Sequence, residues 1–302
     1  EKPLYYGWQR GVFLFGSELK ALKAHPAFVG EIDRHAITLQ LRHNYIPAPY
    51  SIYQGIGKLA PGTVLRLGNG ALSGAPLGVD DAATPYWSLA DAVERGRSDR
   101  LEGSDADAVA ALDGLLRDAV AKQMVADVPL GAFLSGGVDS STIVALMQSQ
   151  SVRPVRTFTI GFKETGYNEA EHAKAVARHL GTEHTELYVT AEEALAVIPR
   201  LPALYDEPFS DSSQIPTFLV SEMTRQHVTV SLSGDAGDEL FGGYSRYARA
   251  AKLWRVLGSV PSLFRKGAAA SICMLPIGTW DLLAAPIKPF MQIGRASCRE
   301  RV

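Results

Sequence analysis

Cysteine is almost missing from this 302-residue chain: only Cys273 and Cys298 occur. Two thiols are too few for a disulfide framework, which excludes a disulfide-stapled scaffold and suits a reducing, cytoplasmic setting. Long apolar runs are missing as well. The most membrane-like stretch, 267–287, is interrupted by Pro276, Asp281 and Pro286, so no segment is expected to span a bilayer. No secretory signal peptide is expected at the start. Neither sign of charge dominates: 30 Lys and Arg stand against 32 Asp and Glu, a net charge of −2. That balance gives no electrostatic basis for binding nucleic acid or an anionic membrane. The seven histidines show no metal-ligand spacing, and His172 and His179 fall on an expected helix at surface or half-buried positions. No internal repeat is visible. No Walker A loop occurs, since Gly57-Lys58 is followed by Leu59. What is plentiful is apolar content, 46% of residues. It excludes disorder, and the length allows a full core and more than one domain.

The most informative string is Leu134-Ser-Gly-Gly-Val-Asp-Ser-Ser-Thr142, directly after the apolar run Val128–Phe133. An apolar strand that breaks into Ser-Gly-Gly and then opens a helix is suited to holding an anion. Gly136 and Gly137 let the backbone turn sharply and bring its N–H groups close to a ligand. Ser140, Ser141 and Thr142 add hydroxyls at a helix start, where the dipole favours phosphate. Asp139 would repel phosphate unless a divalent cation sits between them, and Mg2+ is commonly held by one or two carboxylates plus phosphate oxygens. The loop therefore reads as a site for pyrophosphate and Mg2+. The plain alternative is an ordinary strand-to-helix turn in which Ser and Asp only cap the helix.

A second loop carries matching chemistry. The β-branched run 227–232 leads into Ser233-Gly-Asp-Ala-Gly-Asp-Glu-Leu-Phe-Gly-Gly-Tyr244. Asp235, Asp238 and Glu239 lie among small residues and cannot form a packing element. The alternating ligands and closing Glu of an EF-hand are missing. A flexible acidic turn is the competing reading. Two strand-end loops, one suited to phosphate and one acidic, point to a nucleotide–metal site at the carboxyl edge of a parallel sheet.

Periodicity sets the wider organisation. Residues 1–70 read as short strands broken by Gly and Pro, and 71–100 as a linker or surface loop. Ser104 and Asp107 form an expected capping box for a helix with Val109, Leu112, Leu116 and Val120 on one face. Strands and helices then alternate: strand 130–134, helix 140–150, strand 156–162, helix 168–180, strand 184–189, helices 191–199 and 215–226, strand 228–232. That spacing predicts βαβ units and a parallel sheet. Residues 252–289 read as helices split by prolines. The basic segment 294–302 lacks apolar periodicity and is expected to be a non-native tail.

The strings Ser135-Gly-Gly-Val-Asp139-Ser140-Ser141 and Ser233–Tyr244 together resemble glutamine-dependent asparagine synthetases. The first resembles the pyrophosphate loop of ATP pyrophosphatases generally, and the second is more specific to the asparagine synthetase branch. Tyr205-Asp-Glu-Pro-Phe-Ser-Asp-Ser-Ser-Gln-Ile-Pro216 also looks like that family, and Ala236 stands where many members have Gly. Lys2–Tyr6 and Phe15–Leu22 resemble the closing strands and turn of the family's glutaminase domain. Tyr45–Pro49 through Lys58–Thr63 resembles the segment joining its two domains, ending near Tyr86-Trp87.

The resemblance implies an α/β fold: a parallel-sheet ATP-pyrophosphatase domain, like adenine nucleotide α-hydrolases, preceded by a β-rich remnant of an N-terminal-nucleophile glutaminase domain. The expected spans are 1–70 for the glutaminase part, 71–100 for a linker and 101–293 for the synthetase part. It implies ATP and Mg2+ as cofactors, with Asp139 and Asp238 as metal ligands. Ser135, Gly136, Gly137 and Ser140 would hold pyrophosphate. Leu134, Ile160, Ser233 and Gly234 would line the nucleotide, and Asp235 would act near the reacting centre. The implied reaction amidates aspartate through β-aspartyl-AMP, with ammonia from glutamine. Aspartate, ATP and glutamine or ammonia are the small-molecule partners, and a homodimer is a candidate assembly. Two alternatives stay open: a related adenylating amidotransferase acting on another carboxylate, and a nucleotide-binding fragment without turnover. The family's glutaminase nucleophile is an amino-terminal Cys, whereas this chain begins at Glu1, so no glutaminase residue carries over. The chain alone is expected to be inactive with glutamine.

Overall fold

The computed structural model describes residues 3–67, 83–162, 169–274, 276 and 279. Residues 68–82, which include the start of the expected linker, residues 163–168 and everything from 280 onward, including the expected tail 294–302, lie outside the described residues. The chain forms two compact units, each discontinuous in sequence: Glu1–Ala119 with Tyr188–Gln226, and Val120–Leu187 with His227–Val302.

The first unit opens with strands β1 (Tyr5–Gln9) and β2 (Val12–Gly16), an antiparallel hairpin turned by Arg10-Gly11. Both turn residues have positive φ (47° and 76°), the backbone twist that a two-residue hairpin favours. Helices α1 (Leu19–Lys23) and α2 (Arg34–His43) follow, and β3 (Ile56–Lys58) pairs with the other edge of β1. Tyr5, Leu14, Leu19, Leu22, Ala36, Ile46, Ile52 and Ile56 form the core around this sheet. The short strands expected over 1–70 are present, and two helices that the pattern did not announce stand among them. Asp33 accepts the His35 amide to start α2, and Asn44, with φ 67°, ends it in the left-handed conformation.

Strands β4 (Thr63–Leu65) and β5 (Ala83–Pro85) pair antiparallel. Helix α3 (Leu89–Ser98) lies within the span read as a linker or surface loop, where the Ser88 hydroxyl accepts from the Asp91 amide and starts a helix. Helix α4 (Asp105–Gln123) begins with the expected capping box, in which Ser104 and Asp107 bond reciprocally at 2.8 and 3.3 Å. Its expected apolar face is covered unevenly. Val120 is buried and Leu116 half-buried, but Val109 and Leu112 are exposed.

The second unit holds a four-stranded sheet. Strand β6 (Leu130–Phe133) leads into helix α5 (Val138–Ser149), β7 (Arg156–Phe162), helix α6 (Ala170–Leu180) and β8 (Glu183–Val189). These bounds agree with the periodicity to within a few residues. Beneath the sheet, Thr157 Oγ1 lies 2.9 Å from both Thr182 Oγ1 and His184 Nδ1. Burial holds the His184 pKa below the ordinary imidazole value.

The chain then returns to the first unit as α7 (Ala191–Val197), a 3-10 turn over 198–200, α8 (Leu201–Leu204) and α9 (Gln214–Thr224). Thr190 and Glu193 form a complete capping box on α7. The span expected as one synthetase domain, 101–293, is thus shared between the units. Asp206 and Glu207 supply the physical reason, because their carboxylates accept backbone N–H groups of Leu19, Lys20 and Ile52. Strand β9 (Val230–Leu232) re-enters the sheet beside β6, giving the order β8-β7-β6-β9. The β6–β7 and β6–β9 pairs are both parallel. Helices α10 (Gly237–Phe241), α11 (Ser245–Gly258) and α12 (Ser262–Met274) follow. Among the described residues, no helix is long and apolar enough to cross a membrane.

Candidate nucleotide and metal site

Strand β6 has parallel neighbours on both sides, β7 reached through α5 and β9 added much later in the chain. Its carboxyl end is therefore a topological switch point, where open parallel sheets form ligand crevices. Leu134–Gly137 leave the sheet at this point. Gly136 has φ +80°, and a Cβ there would lie 2.7 Å from the Ala173 nitrogen and 2.8 Å from His172 Cβ. The turn thus needs glycine for both its backbone angle and its closeness to α6. Ser140 ties the loop shut: its hydroxyl accepts the Ser135 amide at 3.2 Å, meets Ser135 Oγ at 2.9 Å and donates to the Gly137 carbonyl at 3.3 Å. Thr142 donates back to the Val138 carbonyl. Ser141 Oγ is buried without a hydrogen-bond partner. Asp139 stands half-buried in the first turn of α5.

Because β9 lies beside β6, the acidic loop lands on the phosphate-type loop. A Cβ on Gly234 would sit 2.6 Å from the Ser140 nitrogen, and one on Gly237 would collide with the Asp139 carboxyl. The two loops are interlocked through glycine at both points. Ala236 adopts φ 72°, a left-handed conformation that costs an L-residue roughly 1–2 kcal/mol. The frequent Gly at this position in the resembling family has its physical reason here. Ala236→Gly is expected to raise stability by about 0.5–1 kcal/mol, the strain relief minus the added unfolded-state entropy. Chemical denaturation of the two variants checks this, and an equal or lower stability would deny the strain.

The three acids of this loop have different surroundings. Glu239 Oε1 accepts the Tyr244 hydroxyl at 2.8 Å, a bond that raises the tyrosine pKa above its ordinary value. Arg246 stacks on the same ring at 4.0 Å. Asp238 is half-buried, with its carboxyl against Gly243, and Asp235 is exposed. Leu134 is only 1% exposed, so its side chain belongs to the core and only its backbone can reach a ligand. Ile160 is half-buried on β7, two residues beyond the Phe133–Phe158 pairing. Ser233 is half-buried at the base of the loop and its hydroxyl accepts the Asp235 amide at 3.4 Å.

Among the described residues, no group of three or more His, Cys, Asp or Glu is placed to hold a metal by itself. The Asp139 carboxyl lies against Gly237, the residue before Asp238, so the interlocked loops carry two hard-oxygen carboxylates. Carboxylates of this kind suit Mg2+, which is commonly bound by one or two of them together with waters and phosphate oxygens. The sequence reading missed the engagement of Glu239 by Tyr244 and the glycine contacts between the loops.

Residues 111–290 match the asparagine synthase family, and residues 1–86 match the glutamine amidotransferase domain. A protein of Methanocaldococcus jannaschii described as a putative glutamine-hydrolysing asparagine synthetase 2 is 39% identical over 251 residues, covering 80% of this chain and 45% of that relative. A putative glutamine-hydrolysing asparagine synthetase of Mycobacterium tuberculosis is 35% identical over 280 residues, covering 92% and 41%. Asparagine synthetase 1 of Bacillus subtilis is 31% identical over 278 residues, covering 92% and 41%. The chain spans less than half the length of these relatives.

Proposed function

The chain belongs to the glutamine-hydrolysing asparagine synthetase family, and from that premise we propose that it carries the ATP-cleaving site of an AMP-forming amidation. The observation that carries this reading is the interlocking of Ser135–Ser140 with Ser233–Asp238 at the switch point of a parallel sheet. The acceptor in this reading is the side-chain carboxylate of aspartate. It attacks the α-phosphorus of ATP, the bond to the β-phosphate oxygen breaks, and pyrophosphate leaves from β-aspartyl-AMP. Ammonia then adds to the activated carbonyl and AMP departs, giving asparagine. A bare carboxylate lacks a leaving group for direct amidation, and adenylation supplies one.

The residues divide the work. Backbone N–H groups of the Gly136-Gly137 turn and the start of α5 face the departing pyrophosphate, in the manner of anion sites at helix N-termini. Ser135 and Ser140 hold that turn in shape through their mutual bond. Asp139 and Asp238 would hold Mg2+, which when bound supplies charge neutralisation on the phosphate oxygens. Ile160, Gly234 and the Leu134 backbone border the nucleotide, and Asp235 lies nearest the reacting carboxylate. Residues 1–86 are read as part of an N-terminal-nucleophile glutaminase domain that supplies ammonia. The substrates are small molecules in the cytoplasm.

The test is an isotope experiment on the full-length protein with ATP, Mg2+, ammonia and aspartate labelled with 18O in its side-chain carboxylate. One 18O should appear in AMP for each asparagine formed, with pyrophosphate as co-product. Release of ADP and phosphate, or unlabelled AMP, would overturn the reading.

A further inference from the structure

Asp206 and Glu207 have no part in the adenylation chemistry, yet they are among the least exposed carboxylates described. Their side chains are 11% and 9% exposed. Both lie within the region matched as asparagine synthase, 111–290. Their partners lie within the region matched as glutamine amidotransferase, 1–86. Asp206 Oδ2 accepts the Leu19 amide at 2.7 Å, and Oδ1 accepts the Lys20 amide at 3.2 Å. Glu207 Oε1 accepts the Ile52 amide at 2.8 Å, and Oε2 accepts the Tyr5 hydroxyl at 3.3 Å and pairs with Lys58 Nζ. Lys58 also donates to the Ile46 carbonyl at 2.6 Å. Lys20 Nζ donates to the Leu204 carbonyl, the Ser210 amide to the Asn44 carbonyl, and Gln40 to Ser210 Oγ. Residues 204–210 are thus stitched to β1, α1, α2, the 46–52 loop and β3.

Burying two consecutive carboxylates on a loop is costly unless their lone pairs are filled. Here donors from separate elements of one region fill them. Such an arrangement has a narrow geometric tolerance, because a shift of the loop would break several charge-assisted bonds together. We propose that Asp206 and Glu207 are positioning residues, a clasp that fixes segment 204–210 of the synthase-matched region on the amidotransferase-matched region, and that the coupling of glutamine hydrolysis to asparagine formation depends on this attachment. This proposal rests on the functional reading above. Ammonia is small and mixes freely with water, so a loosened attachment would appear as glutamate formed without matching asparagine.

The experiment uses full-length protein carrying Glu207→Gln, with Tyr5→Phe as a milder variant that removes one hydrogen bond to the same carboxylate. Glutamate and asparagine are measured with glutamine as donor, and asparagine again with ammonia as donor. The expected result is a severalfold rise in glutamate per asparagine for E207Q, a smaller rise for Y5F, and unchanged synthesis from ammonia. A ratio equal to wild type in folded E207Q would overturn the clasp. So would an equal fall in both donor reactions, which marks simple structural support. Hydrogen exchange gives a readout independent of catalysis: segments 204–210 and 50–58 should gain exchange together in E207Q, and exchange unchanged in 204–210 would also overturn it. Wild-type protein that makes no asparagine from ammonia would refute the functional reading, and the exchange result would still decide the clasp.

Discussion

Full-length protein carrying Asp139→Asn is expected to lose about 10²–10³ of its aspartate-dependent pyrophosphate release, the usual cost of removing one electrostatic contact to developing charge. The fold should survive, because Asn is nearly isosteric with Asp139, whose half-buried carboxyl lies against Gly237. A carboxylate in the first turn of a helix contributes about 0.3–1 kcal/mol through the dipole, so the melting curve should move little. The concentration of Mg2+ giving half-maximal rate should rise at the same time. Normal turnover with an unchanged Mg2+ requirement would remove Asp139 from the metal site. Asp238→Asn should behave alike. A much milder effect there would transfer the second ligand role to Asp235, since Glu239 is occupied by Tyr244.

A second large effect is expected far from that chemistry. Lys58→Met leaves the Glu207 carboxylate buried without its cation, and breaking a buried pair in this way costs about 3–5 kcal/mol. Against a typical total of about 5–15 kcal/mol, that is a large share of the stability. Tyr5 cannot replace the cation: burial and the neighbouring carboxylates push its pKa well above the ordinary phenol range, so it stays a neutral hydrogen-bond donor to Glu207. The contrast is the Asp113–Arg117 pair on α4, in which both side chains are nearly half exposed. Removing Arg117 should cost about 0.3–0.5 kcal/mol. Urea denaturation of both variants checks the ranking, and near-equal losses would show that the Lys58–Glu207 pair is effectively solvated.

Much of the second unit was legible because its signals are local. The apolar run before Ser135, the paired glycines and the hydroxyl-bearing helix start specify a strand, a turn and an anion-type helix N-terminus within ten residues. The βα alternation placed β7 at Arg156–Phe162 without error, and in the first unit Ser104 with Asp107 marked the start of α4. The helices at 19–23, 34–43 and 89–98 were not legible in the same way. Each is short or largely exposed, so a continuous apolar stripe is missing, and their starts depend on caps such as Asp33 and Ser88 that also occur in ordinary turns.

By itself the sequence determined the chemistry available to this protein: which residues could bind phosphate, which could bind a hard cation, and which family the strings resemble. Those are properties of residue type and short spacing. Only the tertiary structure decided which loops meet. Strand alternation is compatible with many sheet orders, and it is the placement of β9 beside β6 that brings Gly234 onto Ser140 and Gly237 onto Asp139. The same holds for Glu207, which reads in the sequence as one acid in a proline turn. Its meaning comes from Ile52, 155 residues away, and from Lys58 and Tyr5. Contacts of that separation depend on how the whole chain packs, and no local pattern encodes them.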